Sequence, residues 1–165
     1  FVLEYASRPP LARIFYEDVL MAAVYYGYKI LIENNKYGIA RYFETRGYDE
    51  YLMDRPDHLK STARVTVKTK GIPSNSQDVI QAHAQAIESF IHDHVGMNDN
   101  GDYMPMYFNR TLEDWINFRI DNRTQYDRTI SAGLALLAAQ RTKKKKEKAK
   151  FDNKTFFRKG KSIQR

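Results

Sequence analysis

Glu33 follows Ile30, Leu31 and Ile32 and precedes Asn34 and Asn35, so a carboxylate and two carboxamides stand where an apolar run ends. Three β-favouring residues in a row, apolar whichever way they point, read as a short strand inside an α/β sheet with helices above and below. In open α/β sheets the crevice beyond the carboxyl ends of the strands is where ligands and catalytic groups gather. A glutamate there is a candidate metal ligand or general base. Taken alone, Glu33 also reads as simply the first solvated residue after a buried strand.

The second acid is Asp127. It opens a run in which small residues at Ser131, Ala132, Gly133 and Ala135 let a helix lie close against a sheet. An aspartate in a first helical turn ordinarily caps the helix or complements its dipole. A glutamate ending a central strand and an aspartate opening a helix on the same sheet can, however, project into one crevice. Two hard carboxylates there suit Mg²⁺ or Mn²⁺. A pair of such ions serves phosphodiester hydrolysis by activating a water and stabilising the attacking and leaving oxygens.

The elements that would position these acids alternate in type. Residues 1–5 read as a strand stopped by Arg8, Pro9 and Pro10, because neither proline donates a ladder hydrogen bond. Phe15, Val19, Ala22, Ala23 and Tyr26 recur at helical spacing over residues 12–26, and Gly27 stands at the C′ position. The Glu33 strand follows at once, a spacing that reads as a parallel crossover unit. Residues 37–46 give a second helix closed by Gly47, and residues 48–53 a further short strand. This half of the chain alternates as α/β domains do.

Further on, Val79, Ile80, Ala84, Ile87 and Ile91 form the buried stripe of a helix capped by Ser74 or Ser76 and ended by Gly96. Residues 97–103 read as a mobile loop whose acids lack the ligand alternation and twelfth-position glutamate of an EF-hand. Residues 105–108 read as an edge strand. Asn109 or Thr111 then caps a helix that turns Leu112, Trp115 and Ile116 inward.

Charge divides the chain into a domain over 1–140 and a basic tail over 141–165. The tail holds 12 Lys and Arg against 2 acids, which leaves 15 against 18 before it, so the net charge of +7 belongs to the tail. Lys143, Lys144, Lys145 and Lys146 attract DNA phosphates in a salt-dependent way, although charges so dense also make a frayed, solubilising segment. Phe151, Phe156 and Phe157 interrupt the run and could anchor on a protein. A second basic row, Arg64, Lys68 and Lys70, alternates with apolar or small residues on a half-exposed strand, able to track a phosphate backbone or merely to face water. Lys36, just past the Glu33 strand, is a further DNA-binding candidate.

A chain of 165 residues that is 42% hydrophobic can bury the core of one domain. No apolar run reaches bilayer length and no signal peptide is recognised, so a soluble chain is expected. The absence of cysteine excludes disulfides, thiolate metal sites and a cysteine nucleophile. The four histidines show no ligand pattern, since His92 and His94 diverge on a helix.

Three stretches occur in a telling order: Ile-Leu-Ile-Glu-Asn-Asn-Lys-Tyr-Gly at 30–38, Lys-Gly-Ile-Pro-Ser-Asn-Ser at 70–76 before a long helix, and residues 122–137, where Tyr-Asp-Arg precedes the small-residue helix. In this order the chain, over residues 2–140, resembles the C-terminal nuclease domain of the tailed-phage terminase large subunit, the motor that cuts and packages viral DNA. The resemblance implies an α/β fold of ribonuclease H-like type, a mixed sheet flanked by helices, with three acids holding two Mg²⁺ or Mn²⁺ ions. It implies double-stranded DNA as substrate, a portal protein, an ATPase domain and a small terminase subunit as partners, and the host cytoplasm as location. By the resemblance Glu33 matches the second acid and Asp127 the third.

The family's first acid, an aspartate on the first central strand, has no counterpart here, and Glu4 lies on what reads as the third strand. Nor is there a phosphate loop for ATP. The resemblance therefore implies an N-terminally incomplete domain, weak or inactive as a nuclease alone. Its Glu33 strand would keep an unpaired edge and either exchange strands in a dimer or fold against a missing segment. The alternative readings are a non-cutting module that docks on DNA or the portal, and another ribonuclease H-like nuclease of resolvase or integrase type.

Overall fold

The centre of the fold is the apolar run that ends at Glu33. A computed structural model describes residues 1–35, 37–56, 59, 69–73, 76–97 and 99–148, the last eight as backbone alone. Successive side chains of an extended segment go to opposite faces, and each face of residues 30–32 meets a different core. Leu31 packs with Ile72, Val79, Ala86, Leu134 and Leu137. Ile32 packs with Leu20, Ala23, Phe43 and Leu52, and Ile30 joins that side. A segment covered on both faces needs an apolar residue at every position, which is what the sequence supplies. Burying Leu31 and Ile32, each 7% exposed, stabilises by roughly 2 kcal/mol apiece.

Helices supply the covers. Residues of α1 (Ala12–Tyr26) and α2 (Tyr37–Thr45) form the Ile32 side, and residues of α3 (Gln77–His94) and α5 (Asp127–Lys148) the Leu31 side. α1 ends as its sequence predicts, with Gly27 in the left-handed region at φ 66°. α4 (Asn109–Asn117) packs on α5. The small residues of α5 serve a helix as well as the central segment, because Gly133 lies against His83 of α3.

Backbone pairing around the centre is short. Ile30 pairs in parallel with Leu52, Glu33 in parallel with Ile72, and Asp54 antiparallel with Lys70. The Ile30 N–H donates to the Tyr51 carbonyl and the Ile30 carbonyl accepts from Met53, both at 2.8 Å; the Ile72 N–H donates to Ile32 and its carbonyl accepts from Asn34, both at 3.0 Å. Gly71 permits this approach. Its φ is +73°, and a Cβ there would stand 2.4 Å from the Ile32 carbonyl oxygen. A separate two-stranded antiparallel sheet joins β1 (Gly96–Met97) to β2 (Tyr103–Met104). The chain is thus a mixed helix and strand structure in which helix predominates.

Several local expectations differ from what is found. Residues 1–5 enter no strand among the described residues. Side chains hold them instead: Phe1 meets the rings of Phe90 and Trp115, and Tyr5 stacks on Phe15 and donates to Asp18. β-propensity makes a strand only where a neighbouring ladder receives it. Asp49–Tyr51 is a 3₁₀ turn rather than strand, and pairing with Ile30 is made at Leu52. The expected loop at 97–103 is bracketed by β1 and β2, while residues 105–108 lie outside any strand. On α4, Ile116 is 82% exposed and Thr111 is the buried residue. Of the strand expected over 61–70, only Thr69 and Lys70 fall within the described residues. Among the described residues no helix is long and apolar enough to cross a membrane.

Candidate functional site

Glu33 stands where the doubly covered segment ends, in parallel register with Ile72. Its Oε1 accepts a hydrogen bond from Asn35 Nδ2 at 3.0 Å, so one of the two carboxamides that follow it orients the carboxylate. Residues 34 and 35 form a turn that carries the chain away from the sheet-like centre toward α2.

Asp127 is the first residue of α5, the place where a carboxylate complements the helix dipole. Its Oδ2 lies 3.3 Å from the Arg8 guanidinium, and both side chains are largely exposed. It lines a cavity of about 980 Å³ walled by residues 1–8, α1, α5 and, from the segment that leads to Glu33, Tyr28 and Ile30. Two further acids, Glu4 and Asp18, line the same cavity. Glu4 accepts from Arg128 Nε at 2.7 Å and from Thr111 Oγ1 at 2.9 Å. Asp18 accepts from Tyr5, and this hydrogen bond holds the Tyr5 phenol above its ordinary range. The sequence carried no local sign of these contacts, since Glu4 is more than a hundred positions from both its partners.

The structure therefore brings Asp127 together with Glu4, Asp18, Arg8 and Arg128, and pairs Glu33 with Asn35. Among the described residues no three acids or histidines gather round a point that could hold a metal ion. Glu33 and Asp127 remain the hard oxygen donors that Mg²⁺ takes, an ion commonly held through one or two carboxylates while it keeps several waters. The donor type fits; among the described residues a complete protein ligand set is not gathered.

The basic candidates divide. Lys70 is turned to its own neighbours, with Nζ 3.1 Å from the Leu52 carbonyl and 3.2 Å from Asp54 Oδ1. Lys36, Arg64 and Lys68 lie outside the described residues. Lys143, Lys144, Lys145 and Lys146 follow residue 140, where the charge pattern changes, without a break in the helix, because α5 continues through Lys148. The frayed backbone expected of that lysine run is helical as far as it is described.

Comparison of the chain with known protein families, with curated proteins and with solved structures finds no match.

Proposed function

We propose that this chain is the nuclease domain of a genome-packaging motor of the terminase large-subunit kind, a divalent-metal-dependent endonuclease for double-stranded DNA on a ribonuclease H-like frame. The observation that supports this reading is the place of Glu33, at the carboxyl end of a segment covered on both faces and paired in parallel with two others. That is where α/β folds collect their ligands. Asp127 begins the helix whose Leu134 and Leu137 share the Leu31 core, so both acids stand on elements of one packed unit.

In this reading Glu33 and Asp127 act as cation ligands. When bound, Mg²⁺ or Mn²⁺ supplies an activated water and stabilises charge on a phosphodiester being cut. The chain's own residues orient the ligand carboxylates: Asn35 does so for Glu33, and Arg8 for Asp127. With no counterpart of the first family acid, the chain alone binds the ion weakly and cuts slowly or not at all.

Calorimetric titration with Mn²⁺ tests the ligand assignment apart from activity. Saturable binding is expected, weakened tenfold or more by Glu33→Gln or Asp127→Asn. Binding unchanged in both variants would remove the reading. Any plasmid cleavage that the chain shows with Mn²⁺ is expected to disappear with Glu33→Gln.

A second reading, a non-cutting module that docks on DNA or on the portal, is favoured by the continuation of α5 through the four lysines 143–146. It predicts salt-sensitive DNA binding that depends on those lysines and is indifferent to Glu33→Gln.

A further inference from the structure

The turn between β1 and β2 holds two residues predisposed to react with each other. Asn100-Gly101 is the sole Asn-Gly pair in the sequence. An asparagine side chain is short enough to meet backbone groups close to it in the chain, and a glycine in the next position carries no Cβ to obstruct the approach to its nitrogen. Gly101 adopts φ +84°, and among the described residues no heavy atom beyond its chain neighbours lies within 4 Å of where its Cβ would stand. Space for ring closure is therefore present.

Both residues are exposed and lie outside the ladder, whose pairs are Gly96 with Met104 and Met97 with Tyr103. Rotation about the Asn100 Cα–C bond, which closure needs, breaks no ladder hydrogen bond. Other asparagines are placed differently. Asn34, Asn109, Asn117 and Asn122 precede Asn, Arg, Phe and Arg, and the Phe118 N–H is already given to the Trp115 carbonyl at 3.3 Å. A side chain on the following residue crowds the ring.

We propose that Asn100 is a spontaneous modification site, whose conversion to isoaspartate and aspartate loosens the β1–β2 pair. The Gly101 nitrogen gives its proton to water or hydroxide and bonds to the Asn100 Cγ, while the Cγ–Nδ2 bond breaks and ammonia leaves. Water then opens the succinimide at either carbonyl. The net change is water gained and ammonia lost, with no oxidation or reduction. Opening at the main-chain carbonyl of residue 100 leaves the chain running through the former side chain, with a methylene added to the turn. Either product puts a new carboxylate between Asp99 and Asp102, where like charges repel. The modification is independent of the nuclease reading.

Ageing of the folded chain at mildly alkaline pH, followed by peptide mass mapping and isoaspartyl methyltransferase labelling, tests this. The peptide holding Asn100 is expected to gain the mass of an NH₂-to-OH exchange and to accept methyl label, while peptides holding Asn34, Asn109, Asn117 and Asn122 stay unchanged. Asn100→Gln is expected to abolish the label in that peptide, and Gly101→Ala to slow its appearance severalfold. Amide exchange in residues 96–97 and 103–104 of the aged wild type is expected to outpace that of Asn100→Gln aged alongside. A wild type that keeps the Asn100 amide, label that survives Asn100→Gln in the same peptide, or unaltered exchange in converted protein overturns the proposal.

Discussion

Gly133 of α5 lies so close to His83 of α3 that a Cβ on it would stand 3.0 Å from the imidazole Cγ and 3.2 Å from Nδ1. Here the two helices meet with no side chain between backbone and ring. Gly133→Ala adds that side chain. In a helix interior the change is ordinarily worth ~1 kcal/mol in favour of alanine, but overpacking a buried contact costs ~1–3 kcal/mol. Net destabilisation of about 1 kcal/mol is expected in urea unfolding. In a His83→Ala background the ring is gone, and the same substitution is expected to stabilise.

His83 also makes stability depend on pH. Burial first, and the Arg123 charge second, lower its pKa from 6.5 to about 4. Its Nε2 has no hydrogen-bond partner among the described residues. The folded chain therefore keeps this imidazole neutral while the unfolded chain protonates it at ordinary pH, so the unfolded state binds more protons between pH 6.5 and 4. Stability is fully present above that window and is lost as pH falls through it, by about 3 kcal/mol in all at ~1.4 kcal/mol per pH unit. His83→Leu removes the titrating group. Between pH 7.5 and 4.5 its urea midpoint is expected to fall less steeply than that of the wild type.

Gly71→Ala combines two penalties, a left-handed φ that costs ~1–3 kcal/mol for other residues and a Cβ 2.4 Å from a backbone oxygen that cannot rotate away. A loss of about 3 kcal/mol or more is expected. Amide exchange at Ile72 and Asn34, whose N–H groups make the adjoining pairing, is expected to accelerate before exchange elsewhere.

Two ion pairs on the cavity differ in worth. Arg128 and Glu4 meet at 2.7 Å with about a quarter of each side chain exposed, and Thr111 also donates to Glu4. Arg128→Ala leaves that carboxylate half-buried without its cation, and a loss of about 2 kcal/mol in thermal or urea unfolding is expected. Asp127 and Arg8 are largely exposed, so Asp127→Asn is expected to stay within about 0.5 kcal/mol of the wild type. Any loss of Mn²⁺ binding in Asp127→Asn then reports a missing ligand rather than a damaged fold.

The parts of the fold legible in the sequence are those written in consecutive residues. An unbroken apolar triplet announced a segment with two cores, and Gly27 announced the end of α1. The place of Glu33 followed from that triplet. What depended on distant partners was not legible. Residues 1–5 have the composition of a strand but were given aromatic and charged side-chain contacts instead of a ladder. Ile116 counted as apolar in a helical stripe, yet α4 turns Thr111 inward to satisfy Glu4, 107 positions away. His83 could have been found: it lies four residues from both Val79 and Ile87, on the helical face they mark as buried.

One contact described above makes the molecule easy to watch. Trp115 is the sole indole in the chain, and it touches both Phe1 and Phe90. Its emission colour and quenching therefore serve as a gauge of a single event, the lifting of the leading residues away from α3 and α4, with no label to attach and no competing fluorophore of its kind to subtract.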